Sequence, residues 1–405
     1  MSGLSVAHYF PWRRVKVVYQ DVQPELSSAL IRIEPDRRFR PACHACGGPA
    51  RTVHSNTRKF VRDRDFGGHQ VLLQVEHRKI WCDACGGVRV EQLDFVDTSQ
   101  RVTHRLAAYA AALCKLGMSV QTVAAHLDLD PKTVQAIDKA ALEVVFGQTS
   151  YEGLQRLAID EVAVRKGHNY RTVVLDYDTG RVVWRGEGRQ VETLDRFFEN
   201  MPETVRNGIR AVAIDLWEPD LKSIRNWCPE ADVVFDLFHV VKAFNKVIDD
   251  IRNEEFRKAD RQGRALLMGS KYLLLRRGEN LKPDQRMRLR EILTLNERLN
   301  IVYWLKDLLK HIWDYRRPEW TESAIESWCA VAEEDGHPAL RRFARRLQTF
   351  KFGILNHCKH PIHTSKIEGV NNKIKVIKRG AYGFHDIEYF TRKVKQALPG
   401  HESSN

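Results

Sequence analysis

Two aspartates and four cysteines hold the chemistry most readable in this chain. Asp160 closes the short apolar run Arg156–Asp160 (RLAID), and Asp215 closes Ile209–Asp215 (IRAVAID). Each run reads as a buried strand. If the two strands are neighbours, the carboxylates sit side by side. Such a pair is costly unless a cation neutralises it, so a divalent metal is the natural partner. The cysteines form two near-identical knuckles, Cys43-His44-Ala45-Cys46-Gly47-Gly48 and Cys82-Asp83-Ala84-Cys85-Gly86-Gly87. In such a turn the first thiolate accepts backbone N–H groups and a glycine takes the positive φ. Four thiolates suffice for one tetrahedral Zn²⁺, which leaves His44 and His77 no vacancy. In a reducing compartment, close cysteine pairs read as metal ligands rather than disulfides.

A third candidate lies late in the chain, in His363–Phe384 (HTSKIEGVNNKIKVIKRGAYGF). As a helix it has two faces. Ile367, Val370, Ile374 and Ile377 form the apolar one; Glu368, Asn372, Lys375 and Arg379 fall opposite. A Glu leading a basic stripe fits a surface salt-bridge ladder. It equally fits a metal-binding carboxylate with cations beside it to hold phosphates.

Strands and helices must position these groups. After Arg156–Asp160, the segment Tyr170–Tyr177 reads as a second strand, Asp178-Thr179-Gly180 as a turn, and Arg181–Arg185 as a third strand. Val191, Leu194, Phe197 and Phe198 have helical spacing, and Leu221–Trp227 reads as another helix. Ala231–Phe238 reads as a buried strand that closes on Asp236-Leu237-Phe238-His239. A long amphipathic helix follows, with Val240, Phe244, Val247, Ile248 and Ile251 on one face. From about 250 to 350 only helix signals appear. Leu273–Leu275, Ile301–Leu309, Trp320 and Trp328 would fill a separate helical core. Several acids read as structural: Glu161 as a surface acid facing away from Asp160, Asp176 and Asp178 as turn residues, Asp195, Asp249 and Asp250 as helix-surface groups. His357, Cys358, His360 and His363 are spaced too irregularly for a second metal site.

Ahead of this region, Val15–Tyr19 and Ala29–Ile33 read as short strands, and Val71–Ile80 between the knuckles alternates like a hairpin strand. A zinc ribbon can grip DNA, grip protein or staple a small domain; Arg58, Lys59, Arg62, Arg64, Arg78 and Lys79 around it favour DNA. Thr103–Phe146 reads as all helix. Within it, Ser119–Ile137 follows a helix-turn-helix plan. Ser119 and Asp130 cap its two helices, Asp128 takes the left-handed turn position, and Pro131 opens the second helix. Val134 and Ile137 face inward, leaving Lys132, Thr133 and Gln135 for a major groove.

Bulk properties agree. The chain has 405 residues, enough for two or three domains, and a net charge of +13 from 65 basic and 52 acidic side chains. That excess favours nucleic acid as partner. Residues 1–20 show no continuous apolar signal region, and Leu106–Cys114 is too short to span a bilayer. The expectation is a protein without a membrane partner, working in the cytoplasm at the nucleoid.

The ordered motifs resemble a known family. CxxCG…CxxC, a helix-turn-helix, AIDE, AIDLW, FDLFHV and SKIEGVNNKIKVIKRGAYGF are similar, in order and spacing, to the bacterial insertion-sequence transposases of the IS-L-three family, and the resemblance spans about residues 15–397. It implies a multidomain fold: a β-rich zinc ribbon (1–98), an all-α helix-turn-helix domain (99–150), and an α/β RNase H-like core. That core would run over 151–242 and 356–397, interrupted by an all-α insertion (243–355), with a disordered tail at 398–405. It implies Asp160, Asp215 and Glu368 as a DDE catalytic triad holding Mg²⁺ or Mn²⁺, with Asp160 bridging two ions about 4 Å apart. Asp236 and His239 match a D-x-x-H pair that supports the site or contacts the DNA end. The chain has Thr364-Ser365-Lys366 where family members often have Ser-Asn-Gly. The implied activity is DNA cleavage and strand transfer on element ends and target DNA by a homo-oligomer in the DNA complex. A DNA-binding regulator on an inactive scaffold and a structure-specific nuclease are the alternatives.

Overall fold

The computed structural model describes residues 12–165, 169–276, 278–363, 365–380 and 386–401. Thr364 and Ala381–Phe384, within the late motif, lie outside the described residues, as does 402–405. The chain divides into two compact units, Met1–Val145 and Phe146–Asn405.

In the first unit, β1 (Val15–Gln23), β2 (Ser28–Pro35), β3 (Thr52–Phe66), β4 (His69–Cys82) and β5 (Gly87–Val90) form a sheet in the order β1-β2-β4-β3, with β5 also pairing β4. Only the β2–β4 pair is parallel. Val71, Leu73 and Val75 alternate along β4 and pack with Ile31, Ile33, Val61, Leu93, Phe95 and Val96. β3 was hidden in the sequence because Arg58, Lys59, Arg62, Asp63 and Arg64 mask its alternation. The β3–β4 reversal uses Gly67 and Gly68 at φ 60° and 79°, a conformation that costs other residues a Cβ clash.

Three helices follow: α1 (His104–Lys115), α2 (Val120–Leu127) and α3 (Pro131–Phe146). The caps fall where expected. The Ser119 hydroxyl accepts from Thr122 N at 3.1 Å, Asp130 Oδ1 accepts from Lys132 N at 2.8 Å, and Asp128 sits at φ 50°. Val123, Ala124, Leu127, Val134 and Ile137 pack with Leu106 and Ala110 of α1. A buried carboxylate joins these helices to the sheet. Asp63 receives the Thr103 hydroxyl at 2.6 Å and the Arg105 guanidinium at 2.6 and 2.5 Å.

The second unit begins with β6 (Arg156–Arg165), β7 (Asn169–Asp176) and β8 (Val182–Glu187), then α4 (Val191–Glu199), α5 (Glu203–Arg206), β9 (Ala211–Ile214), α6 (Glu218–Trp227), β10 (Asp232–Phe235) and α7 (Leu237–Lys258). The strand order is β10-β9-β6-β7-β8. β10, β9 and β6 are parallel; β6–β7 and β7–β8 are antiparallel. β10 is shorter than expected, because Leu237 and Phe238 already belong to α7. A helical block follows: α8 (Arg261–Leu267), α9 (Lys271–Leu275), α10 (Pro283–Leu295), α11 (Glu297–His311), α12 (Pro318–Glu334) and α13 (Pro338–Thr349). The chain then returns through α14 (Lys351–Lys359), α15 (Ser365–Gly380) and α16 (Ile387–Ala397).

The two faces of this sheet are covered differently. Ala158, Val162, Val173, Leu175, Ala211 and Ala213 face α15 and α16. Leu157, Ile159, Val174, Val212 and Ile214 face the other way and share one core with the helical block. The helical residues therefore have no separate core. Phe244 of α7 contacts Trp328 and Phe343 at 5.2 and 4.9 Å between ring centres, and Phe235 of β10 contacts Phe350 at 5.1 Å. Trp320, expected in that core, is 57% exposed, because only one side of α12 meets its neighbours. The start of the expected disordered tail is held against β8 and its turn. Val182 N donates to Leu398 O at 3.3 Å and His401 N to Thr179 O at 2.8 Å. No helix of the described residues is long and apolar enough to cross a membrane.

Candidate active site

Strand register aligns three aspartates. Ala158 of β6 pairs with Ala213 of β9, and Ile214 of β9 pairs with Phe235 of β10. Continuing that register sets Asp160 beside Asp215 and Asp215 beside Asp236, on strands spaced about 4.8 Å apart. Asp160 is not the end of its strand. β6 continues to Arg165 along β7, while its pairing with β9 stops at Ala158. Asp160 thus lies where the sheet opens on the β9 side. Its alternation with Ala158, and that of Asp215 with Ala213, puts both carboxylates on the face covered by α15.

Each aspartate is held by one backbone N–H and one side chain. Asp160 Oδ1 accepts from Glu161 N at 2.8 Å, and Oδ2 accepts from Asn371 Nδ2 at 2.7 Å. Asp215 Oδ1 accepts from Leu216 N at 2.5 Å, and Oδ2 lies 2.9 Å from His239 Nδ1. Asp236 stands at the N-cap position of α7, without a side-chain capping bond, and α7 presents His239 from its first turn. The two carboxylates titrate in opposite directions. Burial pushes Asp160 up, with Asp215 adding to it, against the Glu161 N–H and the His239 charge. Burial also pushes Asp215 up, but the hydrogen bond and charge of His239 outweigh it and hold the carboxyl below the usual range. His239 is raised in turn: burial lowers it, and Asp215 more than compensates.

Glu368 is exposed on the first turn of α15. Ile367, Val370 and Ile374 are buried on the apolar face, and Asn372, Lys375 and Arg379 are exposed, as their spacing suggests. Among the described residues, only the four cysteines bring metal-ligating atoms all within 4.8 Å of one another, so Asp160, Asp215 and Glu368 are not gathered that tightly. Sequence reasoning missed Asn371, which is 6% exposed and sits one turn after Glu368 on the same side of the helix. The i, i+3 spacing from Glu368 was the available signal.

Three further acids were misjudged or missed. Glu161 does point to the opposite face from Asp160, but it is not a surface acid. Burial, then Asp220, Asp160 and Asp215, push its carboxyl up to about 8, and its Oε1 is buried without a partner. Asp220 of α6 is 2% exposed and is pushed up to about 7 by burial, then by Asp160 and Asp215. Asp195, expected on a helix surface, ties α4 to α6 by accepting from Ser223 Oγ at 2.6 Å and Trp227 Nε1 at 2.9 Å.

In the first unit, Cys43, Cys46, Cys82 and Cys85 converge, with Sγ–Sγ distances of 4.0 Å (Cys43–Cys85) and 3.5 Å (Cys46–Cys82). Tetrahedral Zn²⁺ with Zn–S near 2.3 Å requires about 3.8 Å. Burial pushes the Cys43 thiol up, but the N–H groups of Cys46 and Ala45 outweigh it and bring it to about 6. Some of the expected DNA-facing cations are spent on structure. Arg78 pairs with buried Glu91 at 2.5 Å, and Lys59 Nζ donates to the carbonyls of Asp97, Thr98 and Gln100. Arg37, Arg40 and Arg51 instead join Arg78 and Phe39 around an open cavity of about 650 Å³. On α3, Lys132 is exposed and Thr133 and Gln135 are half-buried.

A family model described as "Transposase", of the ISL3 class, matches residues 157–394, from the start of β6 into α16. The chain belongs to the ISL3 family of transposases. A second model, the helix-turn-helix domain of transposase family ISL3, matches residues 91–142, which contain α1, α2 and most of α3. The chain is 42% identical to the transposase for insertion sequence element IS1001 of Bordetella parapertussis, over 88% of this chain and 89% of that one. It is 26% identical to the transposase for insertion sequence element IS1557 of Mycobacterium tuberculosis, over 95% and 93% of the two chains. ISL3 membership accounts for the order of the two units, a helix-turn-helix ahead of a larger α/β region.

Proposed function

We propose that this ISL3-family chain binds the ends of its insertion sequence and carries out cleavage and strand transfer at Asp160, Asp215 and Glu368. The observation that carries the proposal is the β6–β9 register, whose continuation past Ala158↔Ala213 brings Asp160 and Asp215 side by side, with α15, the helix of Glu368, tied to Asp160 through Asn371. The strand order β10-β9-β6-β7-β8, in which β7 alone runs against the other four strands, supports an RNase H-like core. We assign that core to 151–242 and 356–397, the helical insertion to 243–355, the zinc ribbon to 1–98 and the helix-turn-helix domain to 99–150.

The acid site suits divalent cations of the Mg²⁺ or Mn²⁺ type. Two carboxylates share one opening in the sheet, and a buried acceptor beside them, Asn371 Oδ1, has no hydrogen-bond partner. Asp160, Asp215 and Glu368 would hold the ions, which supply nucleophile activation and charge stabilisation at the phosphorus. His239 keeps Asp215 ionised and fixes its second oxygen. Asn371 fixes the Oδ2 rotamer of Asp160. Asp236 stands at the start of α7, the helix that presents His239.

Lys132, Thr133 and Gln135 of α3 face the major groove of the element end in this reading, and Asn372, Lys375 and Arg379 line the path of the strand past α15. Cys43, Cys46, Cys82 and Cys85 would hold a Zn²⁺ that staples the ribbon. Joining two DNA ends calls for at least two acid sites, hence a homo-oligomer in the DNA complex, acting on DNA of the nucleoid.

The deciding experiment incubates the full chain with labelled DNA carrying its own flanking ends, with Mg²⁺ or Mn²⁺, beside Asp215→Ala. The wild type is expected to cut and join while the variant binds DNA and does neither. Binding by both without cutting by either would favour a regulator. Cutting without joined product would favour a nuclease.

A further inference from the structure

Arg189 has no role in the site as described so far. It follows β8, and its guanidinium carbon lies 4.2 Å from the ring centre of Tyr170 and 5.1 Å from that of Trp217. The backbone around it is tied to the same two residues. Gly188 N donates to Tyr170 O at 3.0 Å, and Trp217 Nε1 donates to Arg189 O at 3.2 Å. Tyr170, second residue of β7, pairs with Ala163, three residues beyond Asp160 on β6, and Trp217 stands two residues after Asp215. One ring that holds this cation therefore comes from the strand paired with that of Asp160, and the other from the segment that follows Asp215.

The bland alternative is an arginine packed on aromatic surface for stability alone, a contact of modest strength at a solvent-facing site. Three features argue for more. Among the described residues the guanidinium makes no hydrogen bond and no ion pair, although its charge is felt by Glu161. An arginine meant only to balance that acid would close on it; here the rings hold it in place instead. Its five N–H donors are thus left for an external acceptor, on a guanidinium already held at two rings. That is the preorganised fork that recognises the paired oxygens of a phosphodiester.

We propose that Arg189, clamped between Tyr170 and Trp217, binds a backbone phosphate of the DNA strand that enters the acid site, and so sets where that strand lies relative to Asp160 and Asp215. The inference rests on the DNA-cleaving reading above. Arg189 binds substrate and orients it; no bond-making step passes through it.

The test is a cycle between protein and DNA. End DNAs are made with a single neutral methylphosphonate at each position flanking the cleavage site. The affinity of the full chain for each is measured by fluorescence anisotropy without divalent metal, for the wild type, Arg189→Ala and Arg189→Lys. Arg189→Ala should weaken binding to unmodified DNA about tenfold, the scale of one charge-assisted contact. At one position the methylphosphonate should weaken the wild type by a similar factor and leave Arg189→Ala unchanged, with Arg189→Lys between them. Thermal melting checks that each variant is folded; if the alanine variant is not, the lysine variant and Arg189→Gln serve. Losses that multiply at every position, or binding unaffected by all the variants, would overturn the assignment. Because the cycle reads affinity, it stands apart from the cleavage assay: absence of cutting by the wild type defeats the catalytic reading, not this one.

Discussion

Asn371 on α15 donates from Nδ2 to Asp160 Oδ2 at 2.7 Å, a hydrogen bond between residues 211 apart in sequence. It docks α15, the helix that carries Glu368 one turn earlier, on β6. Residues that orient metal-binding carboxylates typically alter affinity by about 10- to 100-fold when removed. Asn371→Ala is therefore expected to weaken Mn²⁺ binding by about that factor, with Asn371→Gln rescuing little because its longer arm misplaces the donor. Calorimetric titration of Mn²⁺ decides it; unchanged affinity would remove Asn371 from the site.

Asp220 makes stability fall with pH in the metal-free chain. Its carboxyl is raised from 3.8 to about 7 by burial first, then by Asp160 and Asp215. The contribution is fully present below 3.8, where both states are protonated, and is lost as pH climbs to about 7, because the unfolded chain releases its proton first. Asp220→Asn mimics the protonated form. Its stability relative to wild type should rise across that window, reaching at most about 4 kcal/mol. Urea melts at several pH values provide the comparison, and a difference that stays flat with pH would refute the mechanism.

Gly353 tests the packing under Asp236. Gly-to-Ala in a helix ordinarily stabilises by up to about 1 kcal/mol. Here a Cβ would run into the ring of Phe235, which is fully buried and already flanked by Phe350 and Phe352. Overpacking of this kind costs about 1–3 kcal/mol, so Gly353→Ala should lower the melting temperature of the second unit. A rise would show that the ring has room to move.

The four-cysteine site should release one Zn²⁺ per chain to a strong chelator, read with a chromogenic zinc dye. Cys46→Ser should lose that ion and destabilise the first unit, since four sulfurs this close are tolerable only as thiolates around a cation or as thiols. Full retention of zinc by the variant would count against the assignment.

On α3, Lys132→Ala and Gln135→Ala should fail differently. Loss of a phosphate contact weakens all sequences alike and reduces the salt slope by about one. Loss of a base contact costs about 1–3 kcal/mol at one base pair only. Binding isotherms over a salt series and a set of point-substituted ends separate them; identical behaviour of the two variants would place α3 outside the groove.

Local patterns determined much of this protein. The knuckle spacing marked Cys43, Cys46, Cys82 and Cys85, because the turn geometry is written in four consecutive residues. The caps at Ser119 and Asp130 and the left-handed Asp128 were readable for the same reason. Asp160 and Asp215 stood out because an acid ending an apolar strand breaks the local rule, and their pairing required only that the strands be neighbours. What depended on contacts between distant segments was not legible. Asn371 looked like its neighbour Asn372 until α15 was seated on Asp160. Glu161 and Asp195 looked like surface acids until α6 covered them. Arg78 and Lys59 looked like DNA contacts until Glu91 and three carbonyls claimed them. Periodicity reports which way a side chain faces relative to its own backbone. Only the tertiary structure decides what stands opposite, and burial and charge, hence chemistry, follow from that.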